Sequence, residues 1–465
     1  MSFYVATSIA YVNAEPHIGY ALELVQADAL ARNRRLRGEQ VRFQTGTDDN
    51  ATKNVTAARA AGLDVRTFVQ GNSARFAALR EPLELSYDDF VRTGSDPRHR
   101  AGVERLWRAS AERGDFYRKS YTGYYCSGCE AFVTEPSCPE HDADAEVVTE
   151  ENWFFRLSKY ADRLLHALEH EIRIEPQARR NEVLSFVRSG LSDISVSRPS
   201  ARSGGWGIPV PGDESQVVYV WWDALANYVT TLGESFDQWW RDGEQVHVIG
   251  KGITRFHAVY WPALLLSAGL PLPKTIFVHE YLTSHGAKIS KSSGVRVSPV
   301  DLIDRYGVDA VRWWLLREPA RLGDTDFTEQ RLVDRSDSEL ANGVGNLFNR
   351  VRGLSGGSIP DGPGIELAST VDDALRAFDF RAATGAIVAA VDDANRLIET
   401  TRPWERSDNE KTELLSQLGG ACRTIAHELS AFLPSGAARL SDTPRAFPRL
   451  ADSAGTGKAS SPTWT

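Results

Sequence analysis

Three short clusters of residues in this chain have types and spacings suited to chemistry. The first is Pro16-His17-Ile18-Gly19-Tyr20. A glycine between an apolar strand and an apolar helix lets the backbone approach a ligand, the helix N-terminus offers N–H groups to phosphate, and a histidine donates hydrogen bonds to phosphoryl oxygens. Taken alone, such a turn also reads as a purely structural connection. The second is Lys288-Ile289-Ser290-Lys291-Ser292, flanked by Gly286 and Gly294. Only nine of the 53 basic residues are lysines, so two in one short loop stand out against a background of arginine. They form a mobile pair of point charges able to close over a triphosphate, and in a chain this short of lysine that reading outweighs a merely solvated basic loop. The third is Cys126-x-x-Cys129 followed by Cys138-x-x-His141. Three thiols and an imidazole on two tight turns make a closed donor set for one structural Zn2+. Cys422, on an apolar helical face, reads as core.

These clusters need a scaffold, and the apolar patterning supplies one. Residues 3–9 read as a strand, Ile18 to Leu36 as a helix and Gln40 to Thr45 as a second strand, which opens a βαβ unit with a parallel sheet. The stretch from Tyr117 to Glu150, rich in Cys, Gly, Pro and acidic residues, interrupts that pattern as an insertion. From Val217 the α/β pattern resumes with strands VVYVWW and VHVIG, an apolar helix from Ile253 to Ala268, and a strand TIFVHEYL. From about Asp337 the period is helical, with loops at Ser200 to Gly212 and Ser355 to Gly364.

Composition bounds the rest. A chain of 465 residues exceeds one ordinary core, and 42% hydrophobic with 25% charged residues is a globular profile. No apolar run reaches the roughly 18 residues of a membrane span and no secretory leader opens the chain, so no membrane partner and a cytoplasmic location are expected. The net charge of -9 gives no sign of a dedicated nucleic-acid binder.

The strings AYVNAEPHIGY, YVWWDALANY, RFHAVYWPALLLSAG, FVHEYLTSHGAKISKS and RPWE stand in the order and at the spacing of the methionyl-tRNA synthetases, and PHIGY with KISKS resembles the paired HIGH and KMSKS signatures of class I aminoacyl-tRNA synthetases. The resemblance covers residues 3 to about 435 and implies the following organisation. Residues 1–115 are the first half of a split Rossmann-like α/β catalytic domain with a parallel sheet. Residues 116–215 are a connective insertion with a zinc knuckle at 126–141, and 216–282 are the second Rossmann half. The KISKS loop and connecting region follow at 283–336, an all-α anticodon-binding-like domain at 337–450 and a disordered tail at 451–465.

The family also implies roles. His17, Gly19, Tyr20, Gly250, Lys288 and Lys291 match ATP-binding positions, with His17, Tyr20, Lys288, Lys291 and Arg198 acting in catalysis. Ile9, Tyr11, Asp48, Trp221, Ala224, Leu225, Tyr228, Phe256 and His257 match the amino-acid pocket, with Asp48 pairing the substrate ammonium. Cys126, Cys129, Cys138 and His141 match the zinc ligands. Asn346, Arg350 and Trp404 match anticodon-reading residues, but residues 341–450 carry 12 basic and 14 acidic residues, so helix-packing roles stay open beside base contacts. The expected reaction is activation of methionine or a close analogue by Mg2+-bound ATP, followed by transfer to tRNA.

Three positions depart from the family. HIGH ends in Tyr20, TDEHG reads Thr47-Asp48-Asp49-Asn50-Ala51, and IGKD reads Ile249-Gly250-Lys251-Gly252. Removing one preorganised donor to a transition state typically costs about 3 kcal/mol. Two other expectations therefore stand beside the ligase: a paralogue that delivers the activated amino acid to an N-hydroxylated amine in N–N bond biosynthesis, with a cupin partner, and an inactive synthetase fold kept as a binding module.

Overall fold

The structure, a computed structural model, describes residues 2–126, 131–138, 143–284, 286–289 and 297–451. The chain divides into two compact units. Met1–Pro16, Gly38–Glu81 and Leu85–Glu280 form the first, and His17–Arg37, Pro82–Glu84 and Tyr281–Thr465 form the second.

The first unit is built on a parallel sheet. Its strands run Arg173–Glu175, Thr275–His279, Glu244–Gly250, Ser2–Thr7 and Gln40–Asp48, with Ala10–Tyr11 and Asp89–Arg92 also pairing Gln40–Asp48. In the centre, Val5 sits opposite Val246 on one side and Phe43 on the other. Phe3, Tyr4, Val5 and Ala6 are all buried, the continuous burial expected of a parallel strand covered on both faces. Strand Gln40–Asp48 requires glycine at position 46, where a Cβ would lie 2.1 Å from the Val91 carbonyl oxygen.

Between the sheet's first and last strands the chain makes antiparallel structure. Phe116–Cys126 and Glu146–Phe155 form a long ladder running from the Phe116/Phe155 pair to the Tyr125/Glu146 pair, with Ala131–Val133 and Ile194–Ser195 at its edges. Asp213–Val218 pairs with Ser197–Pro199 and Pro209–Val210. The VVYVWW run is therefore not one strand. Val217 and Val218 end an antiparallel strand, and helix Val220–Thr230 starts two residues later. The apolar run hides a switch of period: Trp221, Ala224, Leu225 and Tyr228 recur at helical spacing.

The expected helix from Ile253 to Ala268 also differs. A short turn Lys251–Ile253 leads into a π-helical turn Phe256–Tyr260 and only then into α-helix Trp261–Ala268. Pro262 stands at the start of that helix and has no N–H to continue an α ladder backwards, so the preceding turn widens.

The second unit is mainly helical, with Ile18–Leu36, Val308–Arg317, Asn346–Leu354, Phe380–Thr401 and Asp408–Leu429 among its longer helices and a small sheet of Leu282–Ser284, Ala287–Lys288 and Thr325–Asp326. Arg312, 0% exposed, shows why distant segments belong together. Its guanidinium donates to Asp28 Oδ2 at 2.8 Å, the Leu83 carbonyl at 2.8 Å and the Phe432 carbonyl at 2.7 Å. A buried charge so fully paired locks three stretches of sequence to one core. Arg37 adds a second tie, to Asp372 at 2.9 Å and Glu428 at 2.6 Å. Among the described residues no helix is long and apolar enough to cross a membrane.

Candidate active site

In the first unit the α/β scaffold gathers an aromatic pocket. Helix Val220–Thr230 presents Trp221, Ala224, Leu225 and Tyr228 on one face, at i, i+3, i+4 and i+7. The π-helical turn turns Phe256 onto Trp221, with ring centroids 3.8 Å apart and planes 9° from parallel. Tyr11 meets the Trp221 edge at 6.2 Å from its short strand beside Gln40–Asp48, where it pairs with Asp48. Trp221, Phe256, Tyr11 and Ile9 are half-buried, whereas Tyr228, Leu225, Ala224 and His257 are buried. The half-exposed side chains are the accessible part of this aromatic cluster and the buried ones its floor.

His257 is held in one protonation state. Its Nδ1 donates to the Ile253 carbonyl at 3.0 Å, so Nε2 accepts from the Tyr228 hydroxyl at 2.8 Å. Burial pushes its pKa down to about 4, and burial lowers the neighbouring His247 as well. The floor is neutral at physiological pH, which suits an uncharged side chain.

Asp48, 2% exposed, ends strand Gln40–Asp48, and one of its oxygens accepts the Asn50 N–H at 3.2 Å. The turn that follows is clamped from several directions. Asn54 donates to the carbonyls of Asp48 and Asp49, Trp206 Nε1 donates to the Asp49 carbonyl at 2.8 Å, and Thr93 accepts the Asp49 N–H. The Asp49 carboxylate accepts from Thr47, Ser73 and Arg92; burial nevertheless raises its pKa. Ala51, fully buried, packs with Tyr219 and Val220.

Arg198 lies 6% exposed on strand Ser197–Pro199. Its guanidinium sits 4.3 Å from the Tyr219 ring centroid and Nη1 donates to Ser195 Oγ and the Ser197 carbonyl, while buried Nε has no partner among the described residues. Gly250 ends strand Glu244–Gly250 opposite His279, and Gly252 sits in the short turn beyond it. Sequence reasoning missed the neighbouring carboxylate: buried Glu280 accepts from Arg179 at 2.5 Å and stands 3.3 Å from Lys251 Nζ. It missed Asp223 and His99 too, which pair at 2.5 Å inside the same unit. A lone carboxylate within the apolar run VYVWWDALANY was the available signal.

In the second unit His17 caps helix Ile18–Leu36, its Nδ1 accepting the Gly19 N–H at 3.1 Å. That bond places the proton of a neutral ring on Nε2. A Cβ at position 19 would lie 3.0 Å from the imidazole, so the glycine makes room for His17 itself. The first helical turn carries no acidic residue and keeps its positive field. The helix start also adjoins both described ends of the KISKS segment. Ile18 N–H donates to the Val297 carbonyl at 2.9 Å, and the Ile289 carbonyl lies 3.9 Å from where a Gly19 Cβ would be. Lys288 stands on strand Ala287–Lys288, and Lys291 lies outside the described residues. Tyr20 is 7% exposed.

The helical candidates are placed as follows. Asn346 is exposed at the start of helix Asn346–Leu354, Arg350 donates to Asn395 at 2.9 Å on helix Phe380–Thr401, and Trp404 is 57% exposed just beyond that helix. Of the zinc candidates, Cys126 and Cys138 are buried at the ends of strands Phe116–Cys126 and Ser137–Cys138, while Cys129 and His141 lie outside the described residues. Cys422 is 0% exposed with its thiol pushed up to about 12 by burial, an inert core residue.

Comparison with known proteins gives a consistent result. The family model described as tRNA synthetases class I (M) matches residues 3–145 and 133–352. The chain is 40% identical to a methionine–tRNA ligase of Brucella suis over 474 aligned positions, covering 95% of this chain and 91% of the relative. It is 39% identical to the methionine–tRNA ligase of Thermotoga maritima, covering 87% of this chain and 68% of that one. The fold superposes on Mycobacterium tuberculosis methionyl-tRNA synthetase bound by methionyl-adenylate with a TM-score of 0.88 at 36% identity, covering 95% of this chain and 93% of that one.

Proposed function

The chain belongs to the class I (M) tRNA synthetase family, and from that premise we infer that it is a methionine–tRNA ligase: it joins methionine to ATP as methionyl-adenylate with release of pyrophosphate, then passes the methionyl group to tRNA. The observation that carries the reading is the neutral aromatic cluster, a stacked Trp221/Phe256 pair edge-on to a His257 kept uncharged by burial and bonded to Tyr228. A thioether gains from ring contacts and gains nothing from a charge, so this floor favours methionine over basic or acidic amino acids.

The division of labour follows from the residues. Asp48 takes the ammonium, Tyr11, Ile9, Ala224, Leu225 and Tyr228 bound the side chain, and the neutral floor excludes charge. His17 Nε2–H, the helix N-terminus at Gly19 and Tyr20, and Lys288 and Lys291 meet the phosphates of Mg2+-bound ATP, with Gly250 letting the nucleotide approach the strand end. Arg198 adds a buried cation stacked on Tyr219. No covalent enzyme intermediate is needed; the catalysis is placement and electrostatics. Asn346, Arg350 and Trp404 read unpaired anticodon bases by edge contacts and stacking. Cys126, Cys129, Cys138 and His141 would hold one structural Zn2+: two buried cysteines, each at the end of a strand, fit a thiolate-rich donor set, and the metal when bound would fix the two turns.

Methionine-dependent pyrophosphate exchange followed by charging of a cognate tRNA transcript tests the function. Exchange without charging would move the acceptor to a small molecule, and no exchange with any amino acid would sink the enzyme reading altogether.

A further inference from the structure

Asn50 stands where the family's TDEHG carries its histidine, and both of its nitrogens are used. The side-chain Nδ2 donates to Asp223 Oδ2 at 2.6 Å, and the backbone N–H donates to Asp48 Oδ1 at 3.2 Å. Asp223 is 1% exposed, and its second oxygen lies 2.5 Å from Nε2 of His99, which is 0% exposed and whose Nδ1 lies 2.8 Å from Thr230 Oγ1. A buried chain therefore runs Thr230, His99, Asp223, Asn50, Asp48. A carboxylate gripped on both oxygens in a dry interior has one orientation, and it fixes the amide bonded to it.

We propose that Asn50 is a positioning residue. Anchored by the buried Asp223–His99 pair, it aims its own peptide N–H at Asp48 and holds that carboxylate in the orientation that receives the substrate ammonium. The role assigned to Asn50 runs through Asp48, so the proposal rests on Asp48 being the ammonium partner.

The test uses the full chain and two competitive ligands. Methioninol keeps the ammonium, whereas 4-(methylthio)butanoate keeps the thioether and lacks it. Dissociation constants are measured for wild type, Asn50→Ala, Asn50→Leu and Asp48→Asn. Loss of one positioned hydrogen bond should weaken methioninol about tenfold in both Asn50 variants and leave the deaminated acid within about twofold. The ratio of the two affinities is insensitive to how much of a variant is folded. Equal weakening of both ligands, or of neither, overturns the proposal and makes the chain a structural brace. If Asp48→Asn weakens methioninol selectively while the Asn50 variants do not, only the proposal falls. If Asp48→Asn itself shows no selectivity, the reading of Asp48 falls with it.

Discussion

In the first unit the residues assigned to the amino acid hold one another: Trp221 lies on Phe256, Tyr228 fixes His257, and Asn50 bridges Asp223 and Asp48. In the second unit the residues assigned to phosphate are held by the main chain. His17 bonds to the Gly19 N–H, and the helix start bonds to the Val297 carbonyl. The two constructions suit two kinds of ligand. A side-chain pocket selects by shape and dryness, and its errors are graded. A backbone turn with a helix dipole selects by charge, and its contribution appears when charge develops.

Removing the phosphate histidine should break the contrast most severely. His17→Ala is expected to lower the exchange rate by about 10²- to 10³-fold with little change in methionine affinity. Stopped-flow or exchange kinetics at saturating methionine check it, and an effect confined to methionine KM would erase the distinction between the units.

Next comes the buried imidazole. The folded pKa of His257, about 4, lies below the ordinary value of 6.5, so between those values the unfolded state binds more protons. The stability contributed is present above pH 6.5 and is lost as pH falls toward 4, by about 3 kcal/mol in all, with His247 acting in the same direction. Denaturant unfolding from pH 7 to 4 should show this slope, and His257→Gln should flatten part of it.

Phe256→Ala removes one face of the stacked pair and should raise methionine KM about tenfold while leaving ATP KM near wild type, as initial-rate kinetics would reveal. The smallest effect belongs to Tyr228→Phe, which strips His257 Nε2 of its donor and should cost about 1 kcal/mol of stability, read from thermal or urea unfolding.

Four strands of the parallel sheet, Ser2–Thr7, Gln40–Asp48, Glu244–Gly250 and Thr275–His279, and helix Ile18–Leu36 were legible because apolar runs and helical spacing fix them locally, whereas the short strands Ala10–Tyr11, Asp89–Arg92 and Arg173–Glu175 carry too few residues to show a pattern. The misread segments are those where local pattern is ambiguous. VVYVWW is apolar throughout and carries the end of a strand and the start of a helix, and Pro262 widens a turn whose residues all read as helix. The aromatic residues assigned to the amino acid stand out in the sequence only as a set, through resemblance. The stacking of Trp221 on Phe256 was not, since it depends on the π-helical turn. Asp223 and His99 lie 124 positions apart and could not be paired from spacing.

The threading of the chain between its units has a consequence for how it is made. Residues 17–37 belong with a core completed by Arg312, Asp372 and Glu428. On a ribosome that helix emerges among the first segments and waits, its partners still untranslated, while the strands around it in sequence already have most of theirs. Domains ordinarily mature in order of synthesis. Here the phosphate turn is among the first residues translated, whereas Arg312, the partner of Asp28 on its helix, follows 284 positions later.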